Sequence, residues 1–148
     1  MKFYLLRVDP KKRMIFNPEE SIDFHGFTGP FVQYTYARIQ SILRKAGIEN
    51  ISKVGLKSEL LPLERQLIIE MEKYTNAIDE AAAEMNPSVI ANYVFGVAKL
   101  YNSFYAEHSV VNAESEEKKN LRLHLSVMTA IIIKSGLQLL GIKVPERM

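Results

Sequence analysis

Four side chains between residues 29 and 46 have the types and spacing to bind a ligand: Phe31, Tyr34, Arg38 and Lys45. If that segment is helical, Val32, Tyr36, Ile39 and Leu43 recur at intervals of four, three and four and form a core stripe. The other four side chains fall on a different side. Two rings beside two cations suit RNA, because bases unstacked from a loop stack on rings while cations hold the adjacent phosphates. Each such stack is worth roughly 1–3 kcal/mol. Aromatic stripes at helical spacing usually mean packing. The residues alone therefore favour Phe31 and Tyr34 packed against another helix or the N-terminal segment. Farther along, Tyr101 and Phe104 share an apolar helical face, and Tyr105 is out of phase with it, a candidate for an exposed contact. His108 falls near a helix end. His124 lies off the Leu121, Leu125, Met128 stripe and reads as a surface residue.

Other chemistries lack their parts. There are no cysteines, so thiolate metal sites, disulfides and cysteine nucleophiles are excluded. His25, His108 and His124 are too scattered to suggest a metal site. The seven glycines are dispersed, with neither a phosphate-cradling glycine loop nor a Gly-x-Ser-x-Gly elbow. Glu19-Glu20 and Glu116-Glu117 are adjacent carboxylates, which reads as solvated charge. Lys134 and Ser135 sit together inside a helical stripe. From its own chemistry the chain is not an enzyme and needs no cofactor. The longest uncharged runs, 24–37 and 85–98, are too short to span a bilayer, and the opening residues lack a signal-peptide pattern. The expectation is a soluble, cytoplasmic protein with an opening that looks truncated rather than targeted.

The net charge is only +2, from 19 basic and 17 acidic residues, but it is unevenly spread. Residues 26–58 carry Arg38, Arg44, Lys45, Lys53 and Lys57 against Glu49 alone; residues 59–90 are acidic; residues 120–148 carry Arg122, Lys134, Lys143 and Arg147 against Glu146. If the two basic ends meet in space, they make a local positive surface. Solvated charge on exposed helix faces is the plainer alternative.

These residues need helices to position them. Thr28 as N-cap, Pro30 in the first turn and Gly47 as stop predict a helix from about 28 to 46. Residues 47–60 read as a connector. A second helix starts near Leu61-Pro62 and carries Leu63, Leu67, Met71, Tyr74, Ile78 and Met85. Asn86-Pro87 restarts a third, with Ile90, Val94, Val97, Tyr101 and Phe104 on one face. The fourth presents Leu121, Leu125, Met128, Ile132 and Leu139 and ends near Gly141. Phe3 to Val8 is rich in strand formers and stops at Asp9-Pro10; Met14 to Phe16 is a second short apolar run. The fold expected is all-α: a bundle of four or more helices behind a short extended N-terminal segment.

Several stretches resemble a known family. Gly29-Pro-Phe-Val-Gln-Tyr-Thr-Tyr-Ala-Arg38, continuing to Ser41-Ile-Leu-Arg-Lys-Ala46, is similar to the start of the anticodon-binding domain of arginyl-tRNA synthetases. Gly136 to Met148, closing on Val-Pro-Glu-Arg-Met, looks like that family's C-terminus. Asp9-Pro-Lys-Lys, Met14-Ile-Phe and Ser21-Ile-Asp-Phe resemble the segment where the catalytic domain ends. The resemblance implies residues 1–25 as the end of the catalytic domain or linker, and 26–148 as a helical anticodon-binding domain. It implies a ligase that uses ATP to attach arginine to tRNA-Arg, with the anticodon stem-loop and the catalytic domain as partners. It places Phe31, Tyr34, Arg38, Tyr105 and Met148 at the tRNA, with Lys45 among the supporting cations. That tips Tyr34 and Arg38 from packing to RNA contact. The family's His-Ile-Gly-His-like signature and its lysine-bearing activation loop are absent. The chain is thus expected to be a C-terminal fragment that binds tRNA without forming aminoacyl-adenylate. A phenylalanine, Phe31, stands where tyrosine is common, which keeps stacking and drops a hydroxyl. The competing reading is a helical protein-interaction module whose exposed aromatics anchor a protein. A further possibility is that residues 1–25 expose an edge that promotes dimers.

Overall fold

Capping residues and apolar spacing divide the chain into helices. A computed structural model describes residues 1–47 and 59–148. Lys53, Lys57 and most of the expected connector lie outside the described residues. Within them the helices are α1 (Lys2–Leu6), α2 (Pro18–Ser21), α3 (Gly29–Ala46), α4 (Pro62–Glu72), α5 (Tyr74–Glu84), α6 (Pro87–Glu107) and α7 (Glu116–Leu139), with no strand among the described residues.

The ends of α3 follow from its sequence. The Thr28 hydroxyl accepts from the Phe31 amide at 3.3 Å, Pro30 sits in the first turn, and Gly47 closes the helix at φ 65°. That left-handed conformation favours glycine. Val32 and Ile39 are fully buried and Tyr36 nearly so. Helix α6 is the central element, packing against α1, α3, α4, α5 and α7. Its Ile90, Val94, Val97, Tyr101 and Phe104 are all buried, as their spacing predicts.

Four expectations need correction. The single helix expected from about 61 to 85 is two, α4 and α5, parted at Lys73. At the break the Tyr93 hydroxyl donates to the Glu70 carbonyl at 2.7 Å, and the Tyr93 ring stacks on Tyr74 at 5.5 Å. The Glu70 carbonyl, which also accepts from the Lys73 amide at 3.2 Å, thereby gains a second donor at the end of α4. Met85 is not in a core stripe: it is 85% exposed and ends α5 at φ 50°. Of the stripe expected on α7, Leu121, Leu125 and Ile132 are buried, whereas Met128 and Leu139 are exposed. A second buried row of α7 runs through Leu123, Ser126, Ala130, Ile133 and Leu137, at intervals of three, four, three and four. Two small residues in that row hid it from a search for large apolar side chains. Finally, the strand-rich run at Phe3 forms helix α1. A strand needs a partner for its backbone groups, whereas a helical turn supplies its own, as in Arg7 N–H to Phe3 O at 2.9 Å. Phe3 and Tyr4 are buried there, and Phe3 joins the main core.

Candidate nucleic-acid interface

Helix α3, the end of α6, the loop after it and the C-terminal tail enclose a concavity of about 920 Å³. That is at the upper end of the roughly 300–1,000 Å³ typical of small-ligand clefts. Five of the six residues singled out in the sequence line it: Tyr34, Arg38, Lys45, Tyr105 and Met148. Phe31 does not. Its ring packs on Phe95 at 5.2 Å, beside a Phe27–Phe95 contact at 4.2 Å, behind the helix that carries Tyr34.

Arg38 sits between two rings. Its guanidinium carbon is 4.8 Å from the Tyr34 centroid and 5.5 Å from that of Tyr105. Both rings stay partly open, at 42% and 37% exposure. A relay that sequence reasoning missed sets the direction of the guanidinium. Arg38 Nη1 donates to Asn102 Oδ1 at 2.8 Å, Asn102 Nδ2 donates to Thr35 Oγ1 at 2.8 Å, and Thr35 Oγ1 donates to the Phe31 carbonyl at 3.0 Å. A guanidinium carries five N–H donors, so this contact orients the fork while leaving most of it available to an acceptor.

Tyr105 rests on Tyr101, with planes 14° apart and centroids at 6.4 Å. Burial pushes the Tyr101 phenol up to about 12, so it is neutral at physiological pH, and its hydroxyl pairs with Ser126 at 2.9 Å. Phe24 adds an edge contact to Tyr34 at 6.3 Å. It lies on the segment before α3, and the intervals within α3 carry no signal for it.

The tail is tied to α3 from two sides. Gln33 Nε2 donates to the Lys143 carbonyl at 2.7 Å, and Arg44 Nη1 donates to the Glu146 carbonyl at 3.2 Å. These bonds bring Arg147 and Met148 to the concavity. Among the described residues its lining then holds Arg38, Arg44, Lys45 and Arg147, with no aspartate or glutamate. Four cations of the two basic ends meet here, while Lys134 and Lys143 do not line the concavity and Lys53 and Lys57 lie outside the described residues. Arg122 is 2% exposed and engages Glu64 and Glu114 inside the fold, so it is no surface cation. His108 ends α6 beside Phe104, and His124 Nδ1 lies 3.0 Å from the Asn120 carbonyl. Among the described residues no group of histidine, aspartate and glutamate is arranged to hold a metal. No helix among them is long and apolar enough to cross a membrane. Cations around open rings can hold phosphates while the rings stack bases.

Comparison with known proteins agrees. Residues 32–148 match the family described as the DALR anticodon binding domain. Arginine–tRNA ligase of Flavobacterium psychrophilum is 53% identical over 148 residues, covering 100% of this chain and 24% of the relative. That of Parabacteroides distasonis is 48% identical over 151 residues, covering 100% of this chain and 25% of the relative. The chain thus spans about a quarter of the length of these curated relatives. The solved arginyl-tRNA synthetase of Thermus thermophilus superposes with a TM-score of 0.91 at 36% identity, over 99% of this chain and 26% of that one. That of Plasmodium falciparum, at 22% identity and a TM-score of 0.82, shares the fold. With the match running over most of its length, the chain belongs to the DALR anticodon-binding domain family.

Proposed function

We propose that the chain is the tRNA-gripping module of an arginine–tRNA ligase and that its concavity receives the anticodon stem-loop of tRNA-Arg. The observation that carries this reading is the concavity itself: among the described residues it has four cations, no carboxylate side chain, and two open rings flanking a fixed guanidinium. Tyr34 and Tyr105 stack on or pack against loop bases. Arg38 binds a phosphate or a base edge, Lys45 adds phosphate attraction, and Met148 touches the stem-loop at the tail. Phe31, packed on Phe95, lies outside the concavity. Residues 1–25 are the end of a catalytic domain or the linker from it, and 26–148 form the binding domain. Activation of arginine with ATP belongs to that catalytic domain, in a cytoplasmic enzyme.

Fluorescence anisotropy with a tRNA-Arg anticodon stem-loop tests the reading. Affinity should exceed that for an anticodon-swapped stem-loop and fall steeply with salt as counterions are released. Tyr34→Ala should cost about 1–3 kcal/mol. Salt-independent or absent binding contradicts the assignment and favours the protein-interaction alternative.

A further inference from the structure

We propose that Arg122 is a positioning residue for the concavity: clamped between Glu64 and Glu114, it holds the 108–115 loop in place as one wall. The inference rests on the reading of the concavity as an anticodon-loop site. The loop follows directly from the helix that carries Tyr105, and Ser109 to Asn112 line the concavity. It lies outside the helices, so its shape depends on what fastens it. Val110, 1% exposed, plugs it into the core. Val111 packs partly buried against the same core, and Ser115 caps α7 at the far end of the loop. The polar tether that reaches both ends of the loop is a guanidinium on α7. Arg122 Nη1 donates to the Ser109 carbonyl at 2.8 Å, and Nη2 donates to Glu114 Oε1 at 2.6 Å, one near each end of the loop. Nε donates to Glu64 Oε1 at 3.0 Å.

Glu64 gives this clamp a fixed base. It is fully buried, and its second oxygen accepts from Lys118 Nζ at 2.7 Å and from the Leu61 amide at 2.9 Å. A planar fork with three donors committed to three partners has one orientation. Arg122 itself is sealed from solvent, so any effect on a ligand passes through the loop.

Glu114 provides the test, because its side chain is 56% exposed and Arg122 keeps Glu64 when Glu114 is changed. Glu114→Ala removes the tether at one end, whereas Glu114→Gln keeps an acceptor oxygen and removes the charge. If Glu114 acted only as an acid beside a cationic surface, both variants would bind RNA more tightly and to the same extent. Positioning predicts that the two variants part. Glu114→Gln binds the tRNA-Arg anticodon stem-loop at least as well as the unaltered chain. Glu114→Ala binds it about five- to tenfold more weakly and loses preference over the anticodon-swapped stem-loop. Glu114→Asp, which keeps the charge and shortens the reach, should also weaken binding. Thermal unfolding beside the anisotropy checks that all three variants are folded. Equal or tighter binding by folded Glu114→Ala and Glu114→Asp overturns the positioning role and leaves the proposed function standing. Failure of the unaltered chain to bind either stem-loop overturns the proposed function and this inference with it.

Discussion

Arg38 is oriented by its neighbours. Tyr34 and Tyr105 flank it, and Asn102 holds one of its nitrogens. Truncating it should weaken RNA binding for all sequences if it meets a phosphate, and lower the salt slope by about one unit. If it meets a base edge, Arg38→Ala should instead cost about 1–3 kcal/mol at one anticodon position and relax specificity there. Anisotropy across a salt series and a panel of stem-loops separates the two outcomes. An unchanged affinity would remove Arg38 from the site. Asn102→Ala should reproduce part of the loss, because it frees the guanidinium without removing it. Arg38 was legible in the sequence because it shares one helix with Tyr34. Asn102 was not: it lies 64 residues away on another helix, and no local periodicity links them. Arg122 was misread for the same reason. A cation in sequence looks like surface charge until Glu64, 58 residues distant, is placed against it.

Helix α7 approaches α6 closely enough to require glycine at one point. A Cβ added at Gly136 would lie 2.3 Å from Val94 Cγ1, and a valine methyl in a filled core has nowhere to go. Gly136→Ala should therefore destabilise the fold by about 1–3 kcal/mol through overpacking, in spite of alanine's better helix propensity. Urea unfolding measures this, and a neutral or stabilising result would contradict the close approach. The caps of α3 and the stripe of α6 could be read directly, since Thr28, Gly47 and the five large residues of α6 act locally. On α7 Leu121, Leu125 and Ile132 could be read as well, but the row through Ser126 and Ala130 could not, because small size rather than apolar character buries them. Nor could the N-terminal helix, because residues 3–8 have strand-forming side chains whose outcome depends on whether a strand lies beside them.

One buried acid on α4, Glu64, ties that helix to α7. Burial pushes the Glu64 carboxyl up, but hydrogen bonds from Lys118, the Leu61 amide and Arg122, with the charge of Lys118, outweigh it and hold the group below its ordinary 4.5. As pH falls, the unfolded chain takes up this proton before the folded one does. Stability is thus fully present above about pH 4.5 and declines below it. Thermal unfolding across that range should show the decline. Glu64→Gln should flatten it and cost about 3–5 kcal/mol near neutrality, because buried Lys118 loses its counter-charge and buried Arg122 loses one of its two. The same pairing keeps the concavity distinct: Glu64 neutralises cations inside the fold, while Arg38, Arg44, Lys45 and Arg147 face outward together. The most direct test is photocrosslinking of the chain to tRNA-Arg carrying 4-thiouridine in its anticodon loop, with crosslinked peptides mapped by mass spectrometry. Crosslinks should fall in residues 29–46, in 101–112 and in the tail that ends at Met148. Crosslinks on α4 and α5 instead, or equal labelling by an anticodon-swapped tRNA, would contradict an anticodon site in this concavity.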